Sequence, residues 1–171
     1  MSEKTAGETV IFGQKLASSH VFSELFREGM ALVEETAAYL DGTGRQDAKK
    51  LDRAAALTYA TESMRLTTRL MQLASWLLLH RAVNEGEMSL AQASKEKKKV
   101  KLSSPETLDP VVLAKLPERL QDLIARSRTL QDRVRRLDTT IHAPVPEKPE
   151  GPSPLDHHLG LLKAAFERSD A

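Results

Sequence analysis

The amino-acid sequence predicts an all-α protein, a three-helix bundle in which a long second helix is central. Aromatic residues make up only 4% of the chain and glycines number 8, a balance that favours helices packed by aliphatic side chains over a β-sandwich. Apolar residues also recur at spacings of three and four along three stretches. With 171 residues there is room for one domain. We place it at residues 18–143, between a flexible N-terminal arm, residues 1–17, and a proline-rich linker with an amphipathic tail, residues 144–171.

The first predicted helix follows a serine cap at Ser18 or Ser19 and ends at the run Asp41-Gly42-Thr43-Gly44. There a glycine can take the left-handed conformation that closes a helix. Its polar face is mainly acidic, with Arg27 as its one base. The apolar positions with helical spacing are Phe22, Leu25, Phe26, Leu32, Val33, Thr36, Ala37 and Leu40.

The second helix is predicted as one element from Asp47 to Val83, roughly 55 Å long at 1.5 Å per residue. It carries two stripes. The first comprises Leu51, Ala54, Leu57, Thr61, Met64, Arg65, Thr68, Met71, Ser75 and Leu78, and the second comprises Leu66, Leu70, Leu73 and Leu77. Because two stripes require two packing partners, we expect this helix to extend past its neighbours or to be flanked by a second subunit in a homodimer.

A short helix is predicted after the capping box of Ser89 and Gln92, leading into a solvated, lysine-rich connection. The third helix is predicted to begin at Pro117, since proline is favoured in a first turn. Its heptad seam is Leu116, Leu120, Leu123, Ser127, Leu130, Val134, Leu137 and Ile141. Beside the seam lie Arg119, Arg126 and Arg133, so we expect the basic third helix to pair with the acidic first one.

The chain changes character after Ala143, where six prolines or glycines mark a linker. Ser153 and Pro154 then open an amphipathic segment. Its apolar side is Leu155, Leu159, Leu162 and Phe166. Such a tethered helix either docks on its own body or is offered to a partner groove, and the sequence leaves both alternatives open.

Charge and cysteine content exclude several functional classes. Lys and Arg number 25 against 24 for Asp and Glu, so no whole surface is built to hold a polyanion. The absence of cysteine excludes disulfides, thiol nucleophiles and cysteine-ligated metals. The first residues lack the pattern of a signal peptide, and the longest apolar run is far shorter than the roughly 20 residues that a membrane span needs. We therefore expect a soluble cytoplasmic protein.

No stretch identifies a reaction, and we predict no catalytic residue, no cofactor and no metal site. The histidine pattern does not indicate a zinc site on a helix. The most enzyme-like feature is the group Glu62, Arg65 and Arg69, for which a buried or half-buried ion pair is the favoured interpretation over a carboxylate-binding site. The lysine run Lys97, Lys98 and Lys99 lacks interleaved aromatic residues, so a nucleic-acid-binding regulator is only an alternative, and a helical-bundle enzyme a weaker one.

One long run of the second helix resembles a known family. Residues 59–72, Tyr-Ala-Thr-Glu-Ser-Met-Arg-Leu-Thr-Thr-Arg-Leu-Met-Gln, and their continuation to Met88 are similar to the RcdA family of alphaproteobacterial cell-cycle proteins, and the similarity extends from Ser19 through the third helix. The resemblance implies a dimeric three-helix bundle without enzymatic activity that acts as an adaptor for the ClpXP protease. It implies partnership with CpdR on ClpX, with cargo proteins, and with PopA for degradation of CtrA, and concentration at a cell pole.

The family supplies no residue-level motif, so the partner-binding residues are inferred from the chain itself. We expect them on the tail, the lysine connection and the basic flank of the third helix. They are Leu155, Leu159, Leu162, Phe166, Lys97, Lys98, Lys99, Arg119, Arg126 and Arg133.

Overall fold

A computed structural model of the protein describes residues 19–99 and 109–143, together with His158 and Lys163. In chain order the helices are α1 His20–Asp41, α2 Thr43–Lys49, α3 Arg53–Asn84, α4 Leu90–Lys97, α5 Pro110–Leu113 and α6 Glu118–Ile141. The long helices α1, α3 and α6 pack against one another, and α3 also contacts α2 and α4. The predicted all-α bundle with a central second long helix is confirmed, and the described part of the chain contains no strand.

The seam predicted for the third helix is the best match between sequence and structure. All eight positions from Leu116 to Ile141 are buried. The helix itself begins at Glu118, one residue later than predicted, with Pro117 in the N-cap position. The single turn α5, which precedes it, was not expected within the lysine-rich connection; Asp109 caps it by accepting a hydrogen bond from the backbone N–H of Val111.

The prediction of one continuous helix from Asp47 is wrong. The chain breaks after Lys49, and α3 starts at Arg53 because the Asp52 carboxylate accepts a hydrogen bond from the backbone N–H of Ala55 at 2.8 Å. The Asp47 carboxylate is not a cap; it accepts a hydrogen bond from the Tyr39 hydroxyl at 3.1 Å. With 32 residues, α3 is roughly 48 Å long.

The glycines at the end of α1 are there because neighbouring atoms lie too close for a side chain, and not because the backbone is left-handed. Gly42 has φ −111°, outside the left-handed region, and the helix α2 follows it directly. At Gly44 an added Cβ would lie 2.6 Å from the carbonyl oxygen of Tyr39 and 2.6 Å from the Tyr59 hydroxyl oxygen. The predicted left-handed closure is therefore wrong, and Gly44 is needed because only a residue without a side chain fits against these two tyrosines.

Helix α1 presents most of its predicted apolar positions to the core, with Phe22, Leu25 and Leu32 at most 4% exposed. Ala37, included in the predicted stripe, is exposed. Gly29 was not predicted as a core residue, yet it is buried where α1 crosses α3. A Cβ there would lie 2.5 Å from Cδ1 of Leu77, so the small residue sets how closely the two helices approach.

The two predicted stripes of α3 differ in how deeply they are buried. The stripe of Leu66, Leu70, Leu73 and Leu77 lies in the core, where none of these side chains is more than 4% exposed. Trp76 between them is 1% exposed and packs its ring against Phe22. Most of the other stripe is exposed, although Ser75 is half-buried and Leu51, which precedes α3, packs against the core.

Candidate functional site

The outward face of α3 carries a row of uncovered apolar side chains, which we call the α3 stripe. It is formed by Leu57, Met64, Met71 and Leu78, which are 71%, 71%, 66% and 53% exposed. Each follows the last by seven residues, so the four lie in a line roughly 30 Å long on one face of the helix. Ordered apolar rows of this kind mark contact surfaces more often than scattered exposed residues do.

Small polar residues between these side chains do not make the stripe hydrophilic. The hydroxyl of Thr61 donates to the carbonyl oxygen of Leu57 at 3.0 Å, and that of Ser75 donates to the carbonyl oxygen of Met71 at 2.8 Å. Because these donors are already satisfied within the helix, covering them with another protein would leave no hydrogen-bond donor stranded.

Shallow grooves border the stripe on both sides. Met71 borders a narrow groove of about 170 Å³ between α3 and α1, with Val33 and Leu40 on its far wall. Leu78 borders a groove of about 340 Å³ against α4. The stripe and these grooves form one contact surface that runs along most of α3.

The basic residues predicted to bind partners on the third helix are engaged within the bundle. Arg119 and Arg126 both bond to the carboxylate of Glu35, and Arg133 bonds to Glu28. The hydrogen bond from Arg126 is the main reason why the pKa of Glu35 lies below its usual range. The predicted pairing of an acidic first helix with a basic third helix is thus observed, while a role of these arginines in partner binding stays a prediction.

The three lysines assigned to partner binding divide between internal contacts and solvent. Lys97 donates to a carboxylate oxygen of Asp138 at 2.5 Å, and Lys99 pairs with Glu96 at 2.9 Å. Lys98 is exposed at the end of α4. The tail positions lie outside the described residues, so their role also stays a prediction. They are Leu155, Leu159, Leu162 and Phe166.

The group considered for enzyme chemistry forms structural contacts. Glu62 is 3% exposed and accepts a hydrogen bond from Arg65 at 2.7 Å, which confirms the favoured ion-pair interpretation. Arg69 donates to the hydroxyl of Ser127 at 2.9 Å. A groove of about 370 Å³ beside Arg65 is open to solvent and is not lined by Arg69. The two guanidinium groups therefore do not converge on an enclosed site.

A polar cluster at the far end of α3 was not anticipated from the sequence. His80, which is fully buried, places Nε2 3.1 Å from Nε2 of His142 in the turn after α6. Asp138, one turn earlier on α6, accepts a hydrogen bond from the indole N–H of Trp76 at 2.8 Å. Asp138 and His142 are four residues apart, an acid–histidine spacing that the sequence analysis overlooked; His80 joins them only because α3 and α6 pack together.

The protonation of this cluster follows from its surroundings. Burial lowers the pKa of His80 and of His142, so both rings are neutral at neutral pH. Nδ1 of His80 lies 3.0 Å from the carbonyl oxygen of Trp76, which can only accept, so Nδ1 carries the proton and Nε2 presents a lone pair. Nε2 of His142 donates to that lone pair, and its Nδ1 accepts from the hydroxyl of Ser94 at 3.1 Å.

These features define a class of protein: a helical bundle with a long exposed apolar face on its central helix. No helix in the described ranges has the length and apolar character needed to cross a bilayer.

The comparisons with known proteins give the family. A family model described as "Protein of unknown function (DUF1465)" matches residues 13–166. The crystal structure of RcdA from Caulobacter crescentus CB15 is similar with 52% sequence identity and a TM-score of 0.64, covering 77% of this chain and 99% of that one. No curated protein matches. The chain belongs to the DUF1465 family, which is the RcdA family, and the resemblance seen in the sequence is confirmed.

Proposed function

We propose that this protein is a non-enzymatic adaptor that tethers cargo proteins to the ClpXP protease during cell-cycle-regulated proteolysis. The observation that carries the proposal is the α3 stripe, an ordered apolar face that the bundle itself leaves uncovered. Membership of the RcdA family supports protein partners in general. As those partners we propose ClpX together with CpdR, cargo proteins, and PopA for delivery of CtrA, with concentration at a cell pole.

An adaptor accelerates degradation without making or breaking a bond. Binding cargo and unfoldase at once raises the local concentration of cargo at the unfoldase, often to the millimolar range for short tethers. Flexible methionine side chains suit a surface that must fit more than one partner, because they adapt to different shapes at little cost. Met64 and Met71 hold the centre of the α3 stripe.

The homodimer is part of this proposal, and the stripe supports it by its symmetry. The order of its apolar residues, Leu, Met, Met, Leu, is the same read in either direction. A second copy laid antiparallel about a twofold axis near residues 67 and 68 therefore sets each stripe on its own counterpart, as a closed twofold interface requires. Small residues between the apolar positions allow the two helices to approach closely.

A reconstituted degradation assay tests the function. Purified ClpXP, CpdR and a cargo protein are incubated with ATP, with and without the full-length chain, and loss of cargo is followed by gel. We expect faster degradation with the wild-type protein and a loss of that acceleration in Met64→Glu, which alters the centre of the stripe. If the wild-type protein leaves the rate unchanged for every cargo and adaptor combination, the adaptor proposal is wrong.

The matched control is Val21→Glu. Val21 is an exposed apolar residue on α1, 53% accessible, and lies away from the α3 stripe. Because the same charge is introduced at a comparable surface position, a general effect of added charge would impair both variants. An effect specific to the stripe impairs Met64→Glu alone.

A further inference from the structure

We propose that His80, Asp138 and His142 form a binding site for one divalent transition-metal ion of the zinc type. Two imidazole nitrogens and one carboxylate oxygen are the donors that such ions accept, with a fourth position left for water or a partner's side chain. The candidate ligand atoms, one from each residue, all lie within 4.8 Å of one another. Because they come from α3 and from the end of α6, the ion would join two helices.

The distances suit tetrahedral coordination. The two Nε2 atoms are 3.1 Å apart, so an ion at about 2.0–2.1 Å from each would see them at an angle of roughly 100°. Nε2 of His142 and Oδ1 of Asp138 are 3.5 Å apart, which corresponds to an angle of roughly 115–120° at the same bond lengths. Both values lie near the tetrahedral angle, and the ligand atoms of the third pair, His80 and Asp138, lie within 4.8 Å of each other.

The atoms behind the donors are arranged as they are around metal-bound histidines. Such histidines use one ring nitrogen for the ion and hold the other with an oxygen of the protein, which fixes the ring. Nδ1 of His80 is held by the carbonyl oxygen of Trp76 and Nδ1 of His142 by the hydroxyl of Ser94. The two Nε2 atoms face each other at 3.1 Å. The indole N–H of Trp76 donates to Oδ1 of Asp138, the carboxylate oxygen that faces Nε2 of His142, and so orients the carboxylate.

Binding of the ion requires the proton on Nε2 of His142 to move, and it is opposed by the ammonium group of Lys97. In the ion-free cluster the Nε2 proton of His142 bridges the two rings; on binding, Nε2 loses this proton and Nδ1 gains one, so the ring stays neutral and the Ser94 hydroxyl turns to accept from Nδ1–H. Lys97 binds the other carboxylate oxygen, Oδ2 of Asp138, and its side chain is 29% exposed. Its positive charge competes with the ion, so the site as built favours moderate affinity.

Titration with Co²⁺, a coloured substitute for Zn²⁺, tests the proposal on the full-length protein. Tetrahedral Co²⁺ absorbs visible light strongly, so we expect a saturable band at one ion per chain, and calorimetry with Zn²⁺ should give the same stoichiometry. Replacement His142→Ala or Asp138→Asn removes one ligand and should weaken binding at least tenfold. The control His20→Ala, which removes an exposed histidine beside Glu24, should bind as the wild type does.

Lys97→Gln separates a metal site from a mere hydrogen-bonded cluster. Removing a unit positive charge beside a divalent ion should tighten Co²⁺ binding by roughly tenfold or more. Circular dichroism of each variant confirms that it is folded. The proposal is overturned if folded wild-type protein shows no Co²⁺ band, or if binding is weakened by His20→Ala and unaffected by His142→Ala, which would locate the ion on the surface. Unchanged affinity in Lys97→Gln would equally contradict it.

Discussion

Replacing Met64 and Met71 together by glutamate should convert the protein to a monomer without unfolding it. Both side chains project from the outward face of α3 and are 71% and 66% exposed, so neither substitution disturbs the core. Glutamate and methionine have nearly equal helix propensity, so α3 itself is preserved. In the antiparallel arrangement Met64 lies opposite Met71 of the second copy, and the variant therefore places like charges against each other.

The expected magnitude follows from the exposed fractions of the four stripe residues. Together they amount to between two and three whole side chains per copy. At about 1.5–3 kcal/mol for each fully buried Leu or Met, covering the stripe in both copies gains on the order of 10 kcal/mol. Association opposes this by about 4–15 kcal/mol, so the balance is narrow. Removing both methionines from each copy takes away roughly half of the gain and suffices to abolish the dimer.

Sedimentation velocity across a range of concentrations measures the effect, with Val21→Glu as the control. The wild type and the control should show dimer at concentrations where the double variant sediments as a monomer, and circular dichroism should show the same helicity in all three. A double variant that self-associates like the wild type would refute the assignment of the interface to the α3 stripe. A wild-type protein that is monomeric at every concentration would refute the dimer itself.

Three further outcomes are expected. Leu73→Ala, at a core position that is 1% exposed, should lower the free energy of unfolding measured in urea by about 2–5 kcal/mol. Val111→Ala, at a position that is 67% exposed, should change it by less than about 0.5 kcal/mol. Equal effects of the two substitutions would contradict the burial pattern. Glu35→Gln should cost about 0.5–1 kcal/mol at pH 7. Because the folded-state pKa of Glu35 is lowered, its contribution is present above the ordinary carboxyl pKa and fades as pH falls through the folded value. The difference in stability between wild type and variant should therefore shrink on acidification and close below the folded-state pKa, and a difference that does not shrink would refute the ion-pair explanation. Replacing Leu159, Leu162 and Phe166 of the tail with polar residues should impair cargo delivery or partner binding while the bundle keeps its helicity. Normal delivery and binding by this variant would exclude a role for the tail.

Long periodic patterns were predicted well because a single interaction, the burial of one apolar face of the helix, determines them. The seam of α6 repeats without interruption, and a helix with that pattern can bury only one face. The acidic and basic faces of α1 and α6 likewise indicated their pairing, which the bonds from Arg126 to Glu35 show. The capping box of Ser89 was predicted correctly from two residues, since its hydrogen bonds are local.

Features set by competition or by distant contacts were not predictable in the same way. Asp47 and Asp52 both suit a helix start, and the helical periodicity runs through the break between them, so periodicity could not choose which one caps α3. Gly29 has no apolar side chain and so gives no hydrophobic signal, although it sets the distance between α1 and α3. Sequence spacing also could not tell which stripe of α3 is buried, because both have helical period.

The polar cluster of His80, Asp138 and His142 also depends on contacts between residues that are distant in the sequence. His80 and His142 are 62 residues apart, and nothing local to either indicates the other. The one local signal was the four-residue spacing of Asp138 and His142. Contacts of this kind emerge only once two helices have been brought together in register by their apolar faces.

The contact between His80 and His142 also determines where the chain leaves the bundle. It joins the end of α6 to the C-terminal end of α3, so the chain leaves the described bundle there. In the proposed antiparallel dimer these two points lie at opposite ends of the paired α3 helices, roughly 40 Å apart at 1.5 Å per residue. The two tails would then start far from each other. One dimer could therefore engage two partners at once, and each tail would find its partner without displacing the other.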